Sequence, residues 1–283
     1  MSELIDRHIK AIRADGLADT TIASREELLW RLERDLPYGL EEATTEELQE
    51  WLGNPKWSPK TRETYWCHIV PFYRWCTKGR SPIFDYDPSA DMRRPRVGRH
   101  LPRVATDDQL ALALANLSRP ALRAVVLAAG VGMRASEVAD AERHHFTRER
   151  VVIHGKGDKM RSVPMTGEVW TEIRNSQPGR LITNRGRPVN AEWVSRTVSH
   201  ALSRIGLPIT LHYFRGSYAT RLRRAGVDAF AIAELLGHSS VATTQTYIAI
   251  VDADLDAAVA KLPPLPMQLE PVSTRLEPTA EAA

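Results

Sequence analysis

The segment LLGHSSVATTQTY, residues 235–247, constrains the fold and the chemistry of this chain more than any other stretch. Gly237 is predicted to end one helix in the left-handed conformation, which glycine adopts without steric cost. A serine that follows His238 is then predicted to cap the next helix, whose body carries Tyr247 nine residues after the histidine. The segment therefore places a helix end, a histidine and a tyrosine at a defined spacing.

A second motif upstream is a histidine followed three residues later by an arginine. This spacing occurs three times, at His100/Arg103, His145/Arg148 and His212/Arg215. The spacing alone is therefore not specific. The third pair differs from the others because it leads into a helical pattern, GSYATRLRRAG, and precedes His238 by 26 residues.

Two further motifs lie before this third pair. The segment VVIHGKGDKMRSVPM, residues 151–165, has β-branched residues on both sides of a Gly-Lys-Gly-Asp turn, which predicts a β-hairpin with Lys156 at its tip. The apolar stretch ALRAVVLAAG is predicted to be a helix that ends near Gly130 and Gly132, and ASEVADA begins another helix. Arg134 lies at the junction of these two helices.

Length and composition divide the chain into two domains. Its 283 residues exceed the usual single-domain size of roughly 100 to 200 residues. Residues 87–104 hold three prolines and five arginines without regular periodicity, so we place an interdomain linker at 89–105. A first domain then covers residues 1–88 and a second covers 106–262. The proline-rich tail, 263–283, is predicted to be disordered or extended.

The first domain is predicted to be helical. Thr44 and Glu47 have the spacing of a capping box, and Ser58-Pro59 is typical of a helix start. In the helix that follows, one apolar stripe is formed by Tyr65, Ile69, Phe72 and Cys76. Basic residues surround this helix, namely Lys56, Lys60, Arg62 and Arg74. The helix is therefore either an ordinary core helix with solvated charges or one that also contacts phosphates.

Charge is distributed unevenly along the chain. Residues 1–88 carry 12 basic and 16 acidic side chains, whereas 89–262 have a net charge of +9. This excess suits a polyanionic partner such as nucleic acid, although a solvated basic surface explains it equally well. Cys67 and Cys76 are expected to be reduced, and they lack metal-ligand spacing. Because no membrane-length apolar run and no signal peptide is seen, a cytoplasmic location is expected.

The ordered set GMRASE, HGKGDK, HYFR and LLGHSSVATTQTY resembles the tyrosine recombinase (phage integrase) family over most of residues 106–262. The resemblance implies a mainly α fold with a small β-hairpin sheet (α+β), in which a helical, SAM-like core-binding domain precedes the catalytic domain. With no room for an arm-type DNA-binding domain ahead of these helices, a short form of the family is expected. Six active-site residues are implied, namely Arg134, Lys156, His212, Arg215, His238 and Tyr247.

The chemistry of the family explains why these residue types occur together. Attack of a tyrosine oxygen on a phosphodiester builds negative charge on the nonbridging oxygens, which the guanidinium groups of Arg134 and Arg215 are suited to hold. Tyr247 is the implied nucleophile, giving a 3′-phosphotyrosyl intermediate and a free 5′-hydroxyl. Because one phosphodiester replaces another, rejoining needs neither ATP nor a metal ion, and no cofactor is expected.

The remaining implied residues move or donate protons. His212 would assist deprotonation of the tyrosine, His238 would donate a hydrogen bond to the phosphate, and Lys156 would protonate the departing 5′ oxygen. Glu137, three residues after Arg134, is expected to support helix packing or to orient an arginine rather than to react.

The implied function is site-specific recombination of the integration/excision type, including viral genome integration, through a Holliday junction. The implied partners are double-stranded crossover sites and an accessory directionality factor. The protein is expected to form a homo-tetramer on DNA and to be a monomer or weak oligomer when free. Candidate DNA-contacting residues are Lys56, Lys60, Arg62, Arg74, Arg93, Arg94, Arg96, Lys159 and Arg161. The segment IVDADLDAAVAKL docks either on a neighbouring protomer or on its own domain. The alternatives are a type IB topoisomerase and a DNA-binding accessory factor without catalysis.

Overall fold

A computed structural model of the chain describes residues 3–78, 82–98, 103–155 and 160–237. The chain divides into two compact units, residues 1–100 and residues 101–283. Each unit has a hydrophobic core of its own.

The described part of the first unit contains four helices, and their predicted caps are present. The helices are α1 (Glu3–Ala14), α2 (Asp19–Asp35), α3 (Thr45–Leu52) and α4 (Pro59–Thr77). The Thr44 hydroxyl accepts a hydrogen bond from the backbone of Glu47, and the Glu47 carboxylate accepts one from the backbone of Thr44, at 2.8 Å. The Ser58 hydroxyl, directly before Pro59, caps α4 by accepting a hydrogen bond from the backbone of Thr61 at 3.1 Å. The helix starts are therefore determined by local sequence.

The predicted apolar stripe of α4 faces the core of the first unit. Ile69, Phe72 and Cys76 are fully buried there, and Tyr65 is partly buried. The two cysteines are free thiols, as predicted. Residues beyond α4 return to this core, because Met92 is buried in it and its carbonyl accepts a hydrogen bond from Trp66 Nε1 at 3.1 Å. The beginning of the predicted linker thus packs within the first unit.

The second unit is organised around a central apolar helix. Its described helices are α5 (Asp107–Asn116), α6 (Ala121–Val131), α7 (Ala135–Asp140), α8 (Gly167–Ile173), α9 (Ala191–Arg204), α10 (Leu211–Arg224) and α11 (Ala229–Leu236). Helix α6 contacts each of α5, α7, α8, α9 and α10. Most of its residues are buried and four of them are alanines, whose small side chains let neighbouring helices approach closely.

The described part of the second unit also contains two short antiparallel hairpins. Strands β1 (Arg150–His154) and β2 (Met160–Pro164) pair in the predicted hairpin, with Val151 opposite Val163 and Ile153 opposite Arg161. Val151, Ile153 and Val163 lie on the buried face, as the period of two along a strand requires. Strands β3 (Thr183–Asn184) and β4 (Arg187–Pro188) form the second hairpin.

This architecture, mainly helical with small β-hairpins, confirms the predicted α+β class. Within the described ranges, we find no helix with the length and apolar character that crossing a membrane requires.

Candidate active site

Arg134 lies at the turn between α6 and α7, as the sequence predicted. Helix α6 ends at Gly132, whose φ of 69° is left-handed. A Cβ atom at this glycine would lie 2.7 Å from the ring of Tyr218, so both conformation and space require glycine. The turn brings the backbone nitrogen of Arg134 to 2.8 Å from Glu137 Oε2, and its guanidinium to 2.9 Å from Oε1. Glu137 thus orients Arg134.

Glu137 is a buried carboxylate on which three arginines converge. Its side chain is only 3% exposed. Arg161 donates two hydrogen bonds to it, each 2.8 Å long, and a guanidinium nitrogen of Arg215 lies 3.8 Å from Oε2. Burial raises the pKa of Glu137, but hydrogen bonds from Arg161 and Arg134 and the nearby positive charges outweigh burial and lower the pKa below its ordinary value. Glu137 is therefore a buried anion at neutral pH.

Arg215 is the most deeply buried of the charged residues in this cluster. It lies in the second turn of α10 and is 2% exposed. One guanidinium nitrogen donates to the carbonyl of Gly132, and the other donates to the carbonyl of Leu236 at 2.7 Å. The rigid guanidinium fork therefore joins the end of α6 to the end of α11.

The C-terminal end of α11 is held by the same three arginines. Its successive carbonyls, those of Leu235, Leu236 and Gly237, accept hydrogen bonds from Arg161 at 2.9 Å, Arg215 at 2.7 Å and Arg134 at 3.0 Å. Carbonyls at a helix end lack intrahelical partners and form the negative pole of the helix dipole, so cations are favoured there. Gly237 ends the helix with a φ of 64°, as predicted.

His212 lies in the first turn of α10, one turn before Arg215. Its side chain remains accessible. Desolvation by surrounding atoms, together with the positive charges of Arg215 and Arg134, lowers its pKa. The imidazole is therefore neutral at neutral pH, which is the form that accepts a proton.

An open groove of about 690 Å³ connects these three residues with the polar side of α9. The groove is lined by Arg134, His212 and Arg215 together with Ser195, Arg196 and Ser199. Three of the six predicted active-site residues are thus brought together. The other three, Lys156, His238 and Tyr247, lie outside the described residues, as does Lys159.

The predicted DNA-contacting residues of the first unit occupy different environments. Six of them are exposed, namely Lys56, Lys60, Arg74, Arg93, Arg94 and Arg96. Lys60 and Arg94 both bind the carboxylate of Glu63, at 2.6 Å and 2.7 Å. Arg62 is partly buried and donates to the carbonyl of Asn54 at 3.0 Å, so it holds the chain ahead of α4.

Arg161, which the sequence also predicted to contact DNA, is held by protein groups, and its contact with DNA stays a prediction. Its side chain is 11% exposed, and its guanidinium donates to Glu137 and to the carbonyl of Leu235. These contacts hold the guanidinium against the protein. A sequence signal for this role existed, because Arg161 lies two residues before the buried Val163 and therefore on the same inward face of β2.

The described part of the chain contains no group of three or more His, Cys, Asp or Glu side chains arranged to hold a metal ion. The charged cluster of the groove consists of three arginines around one carboxylate, that of Glu137.

Comparisons with known proteins identify a family. The model of the "Phage integrase family" matches residues 104–253, which is more than half of the chain. The tyrosine recombinase XerA of Pyrococcus furiosus is 28% identical over 186 residues, covering 60% of this chain and 65% of XerA. The tyrosine recombinase XerC of Corynebacterium efficiens is 28% identical over 257 residues, covering 82% of this chain and 81% of XerC.

A solved structure agrees in fold. The structure of a lambda integrase tetramer bound to a Holliday junction superimposes with a TM-score of 0.69 at 20% identity, covering 84% of this chain and 76% of that one. The motifs, the arginine cluster and the match over residues 104–253 agree, and this chain belongs to the phage integrase family of tyrosine recombinases.

Proposed function

We propose that this chain is a site-specific DNA recombinase, an enzyme that cleaves and rejoins DNA strands through a 3′-phosphotyrosyl bond to Tyr247. One observation carries the proposal. Arg134, His212 and Arg215 converge on one groove, and two of them bind carbonyls at the end of α11, directly before His238 in the sequence. The nucleophile follows nine residues later in the family motif.

Arg134 and Arg215 bind the scissile phosphate in this proposal. The transition state carries more negative charge on its nonbridging oxygens than the ground state, so fixed guanidinium groups stabilise it preferentially. Glu137 and the carbonyls at the end of α11 hold both guanidiniums without any rearrangement during the reaction. Such preorganised donors typically contribute roughly 10²- to 10³-fold each to the rate.

His212 accepts the proton of the tyrosine hydroxyl. A tyrosine with an ordinary pKa of about 10 is a poor nucleophile at neutral pH, so a neutral base beside it accelerates attack. The lowered pKa of His212 keeps its imidazole in that neutral form.

Three roles rest on sequence position and the family resemblance. Lys156 lies between strands β1 and β2 and protonates the departing 5′ oxygen, while His238 donates a hydrogen bond to the phosphate. Tyr247 attacks phosphorus, forming the phosphotyrosyl bond as the bond to the 5′ oxygen breaks. The released 5′-hydroxyl of a partner strand later reverses this step, so no external energy source is consumed.

The first unit supplies a second DNA contact in this proposal, with residues 1–88 as the core-binding domain, 89–105 as a basic linker and 106–262 as the catalytic domain. The first turn of α4 contains no acidic residue, and Lys56 and Lys60 lie beside its positive dipole end. Together with the other exposed residues of this unit that were predicted to contact DNA, they are proposed to bind DNA phosphates.

Assembly on DNA follows the related lambda integrase, whose solved structure is a tetramer bound to a Holliday junction. We propose that four copies of this chain act on two double-stranded crossover sites, and that the free protein is a monomer or weak oligomer. We also propose that the reaction takes place on DNA in the host cytoplasm, in integration or excision, and that an accessory factor sets its direction. The segment IVDADLDAAVAKL lies outside the described residues, and its docking on a neighbour stays a prediction.

Covalent trapping tests the proposed function. A half-site is selected from a randomised duplex pool by retention on the protein, and a nick is placed so that cleavage releases a short 5′ fragment. The wild-type chain should form a denaturant-stable adduct with this DNA, with or without a metal chelator, and Tyr247→Phe should form none. An undiminished adduct in the Phe variant would overturn the assignment.

The two alternative functions find no support in the comparisons, in which the relatives are recombinases and integrases. A type IB topoisomerase would relax supercoils without exchanging strands. Mixing two site-bearing DNAs separates the cases, since a recombinase yields junctions and exchanged products. A non-catalytic accessory factor would bind the site but give no adduct.

A further inference from the structure

We propose that Arg161, on strand β2, is a positioning residue for the phosphate-binding arginines Arg134 and Arg215, and that it acts through Glu137. This inference rests on the proposed function. Arg161 and Arg134 occupy the two oxygens of one buried carboxylate, and Arg215 lies 3.8 Å from it.

Glu137 accepts four hydrogen bonds, two at each of its carboxylate oxygens. Its Oε1 accepts from the guanidiniums of Arg134 and Arg161, and its Oε2 accepts from the Arg134 backbone and from Arg161. A carboxylate has about four acceptor sites, so these four hydrogen bonds occupy it. Arg215 consequently directs its nearest nitrogen to the Gly132 carbonyl rather than forming a close pair with Glu137.

Removing Arg161 would leave two acceptor sites of a buried anion unoccupied. The nearest donors are the guanidiniums of Arg134 and Arg215, and an unpaired buried charge attracts such donors strongly. Either arginine would turn towards Glu137 and away from the groove in which the phosphate is held. A displacement of about 1 Å in such a group is enough to lower a rate by roughly 10²-fold.

Arg161 also couples this carboxylate to α11. Its Nε donates to the carbonyl of Leu235, while Arg215 and Arg134 bind the next two carbonyls. One side chain from the β1–β2 hairpin thus holds Glu137 and the helix end in one fixed arrangement. The arrangement assigns to Arg161 a role that requires its planar fork, which a lysine cannot reproduce.

Two chemically altered half-sites distinguish this role from a general structural one. In the first, a methylphosphonate replaces the scissile phosphate, so the reacting group is neutral and no longer needs two arginines. In the second, a 5′-bridging sulfur replaces the leaving oxygen, so departure no longer needs a proton donor. Adduct formation is measured on both, and on the unmodified half-site, with wild type, Arg161→Leu, Arg161→Lys and Arg134→Ala.

We expect Arg161→Leu to lower the cleavage rate on the unmodified half-site by roughly 10²-fold, with DNA affinity nearly unchanged. Arg161→Lys should show a smaller but clear loss, because it keeps the charge without the fork. On the methylphosphonate, the defect of Arg161→Leu should shrink to within roughly fivefold, as should that of Arg134→Ala. Activity on this substrate also shows that the variant is folded.

A control arginine lies on the same hairpin. Arg150 donates hydrogen bonds to the side chain and the carbonyl of Ser162 and does not bind Glu137. Arg150→Gln should therefore leave the ratio of the cleavage rates on the unmodified and methylphosphonate half-sites at the wild-type value. If the cleavage rate of Arg161→Leu recovered on the bridging-sulfur half-site and not on the methylphosphonate, the inference would be overturned, because the defect would then lie in proton donation. Failure of Arg134→Ala to be rescued by the methylphosphonate would instead count against the proposed function itself.

Discussion

The two units each bury a polar side chain, and they do so in opposite ways. In the second unit, Glu137 is ionised and accepts hydrogen bonds from two arginines. In the first unit, His8 is 1% exposed, and neither ring nitrogen has a hydrogen-bond partner among the described residues. Its ring packs edge-on against Phe72 and Trp75, with centroids 5.2 Å and 4.9 Å away.

This difference separates a buried group that is kept charged from one that is kept neutral. Burial, followed by the charge of Arg25, lowers the pKa of His8 to about 4, so the ring is neutral at neutral pH and behaves as a packing group. Glu137 is surrounded by cations that lower its pKa instead. The buried charge lies beside the arginines proposed to bind the phosphate, and the buried neutral ring lies in an ordinary helical core.

The largest effect is expected for Glu137→Gln, which removes the buried negative charge. Three guanidiniums would then share one amide, whose nitrogen cannot accept their hydrogen bonds. We expect the free energy of unfolding to fall by about 3–5 kcal/mol, as is typical when one partner of a buried ion pair is lost. The adduct rate per folded molecule should fall by at least roughly 10²-fold. Urea unfolding and adduct kinetics measure the two quantities.

Glu172 offers a matched control for that variant. This carboxylate also binds two arginines, Arg119 at 2.7 Å and Arg123 at 3.2 Å, but it does not line the groove. Glu172→Gln should lower stability while leaving the adduct rate per folded molecule unchanged. Equal catalytic losses in both variants would show that Glu137 supports only the fold.

A smaller, pH-dependent effect is expected for His8→Leu. Because the pKa of His8 is about 4 in the folded state and 6.5 ordinarily, the unfolded chain binds a proton between these values that the folded chain does not. The contribution of His8 to the free energy of unfolding is therefore full above pH 6.5. As the pH falls towards 4, the free energy of unfolding decreases by on the order of 3 kcal/mol. Leucine should flatten this dependence in urea unfolding measured across the same range.

The outcome at higher pH separates packing from titration. Above pH 7, the free energy of unfolding of the variant should lie within roughly 1.5 kcal/mol of the wild-type value, since leucine fills the site with a side chain of similar size. If the pH dependence of the variant matched that of wild type, His8 would not be the group that titrates.

Much of the fold was predictable because its signals are local. The caps at Thr44 and Ser58, the turn glycine Gly132 and the hairpin strands each follow from a few adjacent residues. The beginning of the linker was harder to place. Met92 looks like part of an irregular basic stretch, yet it packs in the first core, and such a contact depends on residues far away in sequence.

The candidate site was predictable in its residue types but not in its connections. Arg134, His212 and Arg215 follow from the motifs, and they line one groove. Arg161 was predicted only to contact DNA, because it is a basic residue on a hairpin, and its protein partners were not foreseen. Its bonds to Glu137 and to the carbonyl of Leu235 span 24 and 74 residues in sequence. Only the tertiary fold brings these groups together.

The smallest effect on stability is expected for Arg94→Gln, in a third kind of environment. Arg94 is exposed and shares Glu63 with Lys60, so loss of Arg94 leaves the carboxylate paired with Lys60, and the unfolding midpoint should not move. Its proposed role is instead to bind a DNA phosphate. If it does so, the slope of log affinity against log salt concentration should fall by about 1, because one fewer counterion is released.

Arg34, exposed and paired with Asp35 in the same unit, is the control, and Arg34→Gln should leave the slope at the wild-type value. An unchanged slope in Arg94→Gln would mean that this ion pair, unlike the buried cluster around Glu137, serves neither stability nor DNA binding.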